Sequence, residues 1–180
     1  QVLLLLALVL TTSSGCKRLP RVFRPKSQHA RVAPRLLPPL TGLQRFEPLP
    51  LLTSEPATVA VPLGARVARP VLIALHGQSG SVSADCNAWS SITDYSYFVL
   101  CPSLRSKPTA EQPAKDCTDW PCVAAELKEA LVALRKRYGA HVAPKEVMLA
   151  GFGRGAALAV PIAQQDPSVF SRLWLVDGGL

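Results

Sequence analysis

The stretch "GFGRG", Gly151-Phe152-Gly153-Arg154-Gly155, closes the apolar run "VMLA" and opens a segment with helical spacing, "RGAALAVPIAQQ". Glycine at every second position marks a turn too tight for Cβ atoms at its flanks, and a strand-to-helix turn of this kind offers backbone N–H groups to an anion. A second turn, His76-Gly77-Gln78, ends the apolar run "VLIAL". Acyl-transfer chemistry at such turns needs a nucleophile, a histidine to take its proton and a carboxylate to orient that histidine. Glycine at 153 supplies no nucleophilic atom. The only histidines are His29, His76 and His141; Ser79, Ser81 and Ser83 lie near the His-Gly turn, and Asp177 ends the last apolar run. A serine with no base beside it is an ordinary hydroxyl.

The rival chemistry for a glycine-rich turn is a phosphate cradle of the dinucleotide-binding kind. It fits poorly, because the spacing is G-x-G-x-G rather than G-x-G-x-x-G and the turn comes late in the series of apolar runs.

These turns must be held by regular elements. "TVAVP" (58–62), "VLIALHG" (71–77), "YFVLCP" (97–102), "VMLAG" (147–151) and "LWLVD" (173–177) are short, nearly continuous apolar runs ending in Gly, Pro or Asp, the pattern of strands buried on both faces of a parallel sheet. Between the third and fourth runs, Val123, Leu127, Ala130, Leu131, Leu134 and Tyr138 recur at helical spacing, with Gly139 as a stop. A second helix is expected over 154–165, bent by Pro161 and ended by Asp166-Pro167. Strand and helix alternating in this way predict an α/β fold with a mostly parallel sheet and flanking helices.

On these residues the chain resembles the α/β-hydrolase family over roughly residues 58–180. His76-Gly77-Gln78 looks like the oxyanion loop after the third strand, and Gly151–Gly155 like the G-x-S-x-G nucleophile elbow. The resemblance implies that His76 and Gly77 are structural residues of the oxyanion loop, that the backbone N–H groups of Gln78 and Arg154 point at a developing oxyanion, and that Gly151 and Gly155 are the small flanks of the elbow. Gly153 then stands in the nucleophile's place. The family's histidine, and usually its acid, follow later strands than "LWLVDGGL", so the domain is expected to be incomplete at its C-terminus. Asp177 is the candidate orienting acid, with a turn residue as the alternative. The resemblance implies an esterase or polyester-depolymerase ancestry, a small ester or anionic ligand, no cofactor, and triad chemistry that is impaired or absent. The other functional class is a non-catalytic binding or scaffold protein of the cell envelope that uses the former cleft, with Arg154 suited to a carboxylate or phosphate.

Charge divides the 180-residue chain. Its formal net charge is +8, yet residues 1–70 carry ten of the 20 basic side chains against Glu47 and Glu55 alone, so the remainder is balanced. Ten of the 17 prolines also fall in residues 1–70, marking that stretch as a different kind of polymer. Residues 1–15, "QVLLLLALVLTTSSG", read as part of an export signal: the apolar run Val2–Leu10 is too short to span a bilayer, and small residues follow it. Gly15 before Cys16 resembles a bacterial lipoprotein signal, which implies lipidation of Cys16; Ser13 with Gly15 would equally suit an ordinary signal peptidase. Residues 16–56 read as a Pro/Arg-rich extended tether, and 57–180 as the domain. The tether's charge suits anionic lipid head groups or simple solvation; nucleic acid is disfavoured, since no aromatic interleaving accompanies it. The expected location is the cell envelope, on the periplasmic or outer face, anchored in the membrane through lipid.

Beside Cys16 there are four cysteines, Cys86, Cys101, Cys117 and Cys122, an even set that in an exported chain implies two disulfides. Of the three pairings, neighbouring elements favour Cys86–Cys101 and Cys117–Cys122. Their spacing matches no common zinc pattern, and no metal is expected.

Overall fold

A computed structural model describes residues 36–42, 44–77 and 81–178. Six strands, β1 (Phe46–Leu49), β2 (Ala57–Ala60), β3 (Arg69–Leu75), β4 (Phe98–Cys101), β5 (Val142–Phe152) and β6 (Arg172–Val176), form one sheet in the order β1-β2-β4-β3-β5-β6. The central pairs β4/β3, β3/β5 and β5/β6 are parallel, while β1/β2 and β2/β4 are antiparallel, so the sheet is mixed with a parallel centre. Three helices flank it: α1 (Val82–Ile92), α2 (Trp120–Tyr138) and α3 (Arg154–Gln165).

Strand alternation explains the layers. On one face Val71, Ile73 and Leu75 of β3, Phe98 and Leu100 of β4, and Val147 and Leu149 of β5 pack with Val123, Leu127 and Leu134 of α2 and with Ala159 and Ile162 of α3. On the other, Leu72, Ala74, Val99, Met148 and Ala150 meet Cys86 and Trp89 of α1, and the Trp89 ring stacks on Trp174 of β6 at 6.3 Å. Both faces of the central strands are therefore covered, which is why their sequences read as unbroken apolar runs. The helix ends follow local chemistry. The Asp119 side chain accepts the Cys122 N–H at the start of α2, and Gly139, at φ 53°, lets the chain leave its end.

Three elements differ from expectation. Strand β1 lies inside the stretch read as a tether, so the folded body reaches back before residue 57; Leu49 and Leu51 are both core residues. Pro48 does not break β1, because β1 is an edge strand and needs fewer ladder donors. Helix α1 was not legible, since "VSADCNAWSSI" buries only Cys86, Trp89 and Ser90. Strand β5 begins at Val142 rather than Val147; its exposed Pro144-Lys145-Glu146 hid the early part. Both expected disulfides form, Cys86–Cys101 tying α1 to the end of β4 and Cys117–Cys122 closing the turn before α2.

Candidate active-site cleft

Sheet topology alone selects one place. The chain leaves β3 for α1 on one face and leaves β5 for α3 on the other, and β3 and β5 are adjacent and parallel, with Leu75 opposite Gly151. Neighbouring strands whose connections part to opposite faces open a crevice at their carboxyl ends, the usual ligand site of open α/β sheets. The two turns singled out from sequence, at His76-Gly77 and Gly151–Gly155, are the rims of this crevice.

The elbow geometry follows from backbone contact. A Cβ on Gly151 would lie 2.4 Å from the Gly155 carbonyl oxygen, and one on Gly155 would lie 2.3 Å from that of Leu75 and 2.8 Å from that of His76. Only glycine at both flanks allows α3 to start directly against the end of β3. Gly153 is different: its φ is 54° and ψ −117°, yet a Cβ there meets nothing within 4 Å. The turn thus holds its middle residue in left-handed backbone while leaving open space where a side chain would project. The Gly153 N–H donates to the Val176 carbonyl at 2.9 Å, fastening the end of β6 to the turn. Among the described residues no acceptor takes the N–H of Arg154, the first residue of α3, which leaves a free donor at the positive end of that helix.

Beside the elbow lies a cavity of about 160 Å³ lined by His76, Gly77, Ser103, Leu104, Arg105, Asp116, Cys117, Arg154 and Leu158. The Arg154 guanidinium is half-buried, and Nη2 donates to the Cys117 carbonyl at 3.4 Å. Arg105 pairs through Nε with Asp116 at 3.1 Å and through Nη1 with Glu55 at 3.8 Å. His76 Nδ1 lies 2.9 Å from the Gly77 carbonyl, which can only accept, so Nδ1 carries a hydrogen and the bond fixes the ring with Nε2 turned away from that carbonyl. That Nε2 is buried and has no partner among the described residues.

A buried acid shapes the far wall. Glu126 of α2, 2% exposed, accepts at Oε1 from Leu104 N–H at 3.1 Å and from Ser103 Oγ at 3.2 Å, while Oε2 has no described partner. Burial pushes its carboxyl above the ordinary range, against these hydrogen bonds and with a small push from Glu129. Leu104 sits at φ 56°, left-handed backbone that costs a non-glycine residue about 1–2 kcal/mol. Glu126 thus clamps the strained segment that forms one side of the cavity.

Of the residues proposed from sequence, His76, Gly77, Gly151, Gly153, Arg154 and Gly155 come together here. Asp177 follows β6, exposed and at φ 53°, with no hydrogen-bond partner among the described residues. Gln78 and Ser79 lie outside the described residues, as do His29 and Cys16; Ser81 and Ser83 hydrogen-bond each other at 2.9 Å on the surface. His141 is bonded to the Pro38 carbonyl and lines a different pocket, with Glu47 and Arg137. Sequence reasoning did not find Ser103, Arg105, Asp116 or Glu126. Glu126 had a signal, since it falls on the apolar stripe of α2 between Val123 and Leu127, where an acid is unexpected. Among the described residues no three His, Cys, Asp or Glu side chains gather into a potential metal site.

No protein-family model and no curated protein matches the sequence. Solved structures do match in fold. An acetyl xylan esterase from Aspergillus awamori superposes with a TM-score of 0.51 at 16% identity, covering 66% of this chain and 44% of its own. An epoxide hydrolase from an endophytic Streptomyces gives 0.51 at 16% identity, over 73% of this chain and 37% of its own. A dienelactone hydrolase from Anabaena variabilis gives 0.50 at 16% identity, over 75% and 65% respectively. What is shared is the α/β-hydrolase fold. The chain spans less than half the length of the first two of these proteins.

Proposed function

We propose that this protein derives from an esterase-like α/β-hydrolase and that Gly153 occupies the place of the serine nucleophile, so that triad-based ester hydrolysis is absent or severely impaired. The observation that carries this reading is the Gly151–Gly155 turn itself. Its flanks must be glycine for α3 to meet β3, its middle residue has φ 54° with open space for a side chain, and it stands at the crevice between β3 and β5. A turn of that shape strains its middle residue, and glycine relieves the strain at no steric cost. Without a nucleophile, the Arg154 N–H and the His76-Gly77 loop retain only oxyanion stabilisation, which with binding supports about 10³-fold catalysis over water.

A second reading, a non-catalytic binding protein that uses the former cleft, is favoured by Arg154. Its guanidinium lines the cavity with one carbonyl contact and no described acidic partner. On either reading we place the protein in the cell envelope, exported and anchored through Cys16. The two disulfides support an oxidising compartment.

The test uses the 180-residue chain and an aryl ester. Hydrolysis no faster than about 10³-fold over water, with no fluorophosphonate adduct by mass spectrometry, is the expected result. Rapid turnover with an adduct on Ser79, Ser81 or Ser83 would overturn the elbow assignment and move the centre to the segment after β3.

A further inference from the structure

The two disulfides differ in where they lie and in what they hold. Cys86 and Cys101 are 0% and 2% exposed, packed among Leu72, Ala74, Trp89 and Val99, so an outside thiol reaches neither sulfur while the fold is intact. Cys117–Cys122 is placed otherwise. Cys117 is buried, but Cys122, the third residue of α2, is exposed, so an attacking group can approach that residue from solvent. Thiol–disulfide exchange depends on access to one sulfur, and exposed disulfides are the labile ones. The bridge also spans a sequence separation of only 5, against 15 for the other, so it gains less from constraining the unfolded chain.

The buried partner is part of the cleft. Cys117 lines the cavity with Leu104 and Arg154; its N–H donates to the Leu104 carbonyl at 2.8 Å, and its carbonyl accepts from Nη2 of Arg154 at 3.4 Å. Residues 102–119, between β4 and α2, carry isolated bridges in place of a strand or helix, Ser54 with Ser106 and Arg105 with Asp116. This segment is fastened to α2 by Glu126, which holds Ser103 and Leu104, and by the disulfide, which holds Cys117. Opening the disulfide leaves the Glu126 side of the wall fastened and releases the Cys117 side.

We propose that Cys117–Cys122 is a thiol–disulfide exchange site through which an external dithiol loosens the wall of the cleft. A thiolate of the dithiol attacks Sγ of Cys122 and the bond to Cys117 breaks; Cys117 leaves as a thiolate and takes up a proton. The second thiol of the reductant then displaces Cys122 from the mixed disulfide. The reductant departs as a disulfide, and the protein gains two electrons and two protons. Cys117, no longer tied to α2, ceases to hold its carbonyl against Arg154. The exchange site stands on burial and chain connection alone; that the loosened wall belongs to a former active-site cleft rests on the proposed reading of residues 151–155.

The experiment treats the oxidised 180-residue protein, without denaturant, with dithiothreitol, blocks free thiols with iodoacetamide at successive times and locates them by mass spectrometry. Cys117 and Cys122 are expected to be alkylated at least about tenfold faster than Cys86 and Cys101. In amide NMR of the protein reduced at this bridge alone, Leu104, Cys117 and Arg154 should shift while Leu72, Trp89 and Val99 stay in place. A Cys117→Ser, Cys122→Ser double variant should show the same shifts at Leu104 and Arg154 without reductant. Because reduction is carried out on the unaltered protein, a variant that fails to fold does not remove the test. Equal rates for the two bridges, or resistance of both until the protein unfolds, overturns the proposal. Selective reduction that leaves Leu104 and Arg154 unmoved overturns it as well, since the bridge would then hold nothing at the cleft. These rates and shifts do not depend on what stands at position 153. Rapid ester turnover with an adduct on Ser79, Ser81 or Ser83 would therefore refute the elbow reading and leave the exchange site standing.

Discussion

Three glycines in five residues offer an internal comparison, because Gly151 and Gly155 are glycine for want of space and Gly153 for its positive φ alone. Replacing Gly155 by Ala puts a Cβ 2.3 Å from the Leu75 carbonyl oxygen, at the end of the central strand β3. Ordinary contact needs the start of α3 to retreat by about 1 Å, at a cost at or above the roughly 3 kcal/mol upper range of overpacking. Gly151→Ala meets the Gly155 carbonyl at 2.4 Å and the Ala156 nitrogen at 2.5 Å, with the same consequence. Gly153→Ala meets nothing, so its cost is the positive-φ strain alone, about 1–2 kcal/mol. At about 2–4 °C per kcal/mol for a chain of this size, thermal melting should fall by about 2–8 °C for Gly153→Ala and by more than about 6–12 °C for the flanking variants, up to loss of folding. Circular dichroism melts on the three single variants make the comparison. A Gly155→Ala protein as stable as Gly153→Ala would refute the close approach of α3 to β3, and with it the elbow.

Removing the Cys86–Cys101 bridge as a double alanine variant should lower melting by about 6–12 °C, since closing 15 residues of chain is worth about 3 kcal/mol; an unchanged melt would show that the bridge constrains nothing. Thiol labelling without reductant should find Cys86, Cys101, Cys117 and Cys122 blocked, and free Cys117 or Cys122 would contradict the turn closure described before α2. The two acids of α2 should respond to pH with opposite sign. Glu126 has a raised folded-state pKa, so its contribution to stability is greatest in acid and declines as pH rises from the ordinary carboxylate value toward the folded one; the melting temperature of Glu126→Gln relative to the native chain should become more favourable as pH rises from 4 to 7. Glu129 is the reverse: burial acts to raise its pKa, but hydrogen bonds from Thr53 and Leu52 win and lower it, so its contribution is present at neutral pH and is lost as pH falls through the folded value. Glu129→Gln should therefore lose its disadvantage in acid, and pH-independent differences for both variants would refute this assignment. Mass spectrometry of protein exported by a bacterial host should find a chain beginning at an acylated Cys16, and an uncleaved N-terminus would end the lipid-anchor proposal.

What the sequence disclosed, and what it concealed, follows from which surfaces are covered. Strands β3, β4 and β5 were legible because helices lie on both faces of the sheet centre, so every residue from Val71 to Leu75 and from Phe98 to Cys101 is buried and no alternation interrupts the run. Strand β1 was not, because an edge strand tolerates Pro48 and a charged residue such as Glu47, which elsewhere signal loop; Glu47 there pairs with Arg137 and accepts from Tyr138. Gly151 and Gly155 were legible for the same physical reason that fixes them, the absence of room for a Cβ. The cavity's far wall was not, because Ser103, Arg105 and Asp116 lie in a segment without periodicity and are brought to the cleft by contacts distant in sequence, from Glu126 and Glu55.

On the proposed reading, a lost nucleophile leaves its site behind. The backbone of the Gly151–Gly155 turn is dictated by the packing of α3 on β3, not by whatever stands at position 153, so a serine exchanged there for glycine would take away a hydroxyl and relax strain without moving a strand. The same packing keeps Arg154 beside the cavity and leaves its backbone N–H without an acceptor among the described residues. On the opposite wall, the Glu126 carboxyl continues to hold Leu104 at φ 56°. Strained backbone persists only where its surroundings over-determine it, and a cleft with no remaining ligand gains nothing from that strain. Replacing Glu126 by Leu, which leaves the Leu104 N–H and Ser103 hydroxyl without their acceptor, should cost about 1–3 kcal/mol. The amide NMR signals of Leu104, Arg105 and Asp116 should then shift as Leu104 relaxes to ordinary backbone; signals that stay in place would refute the clamp and assign the strained backbone of Leu104 to its other neighbours.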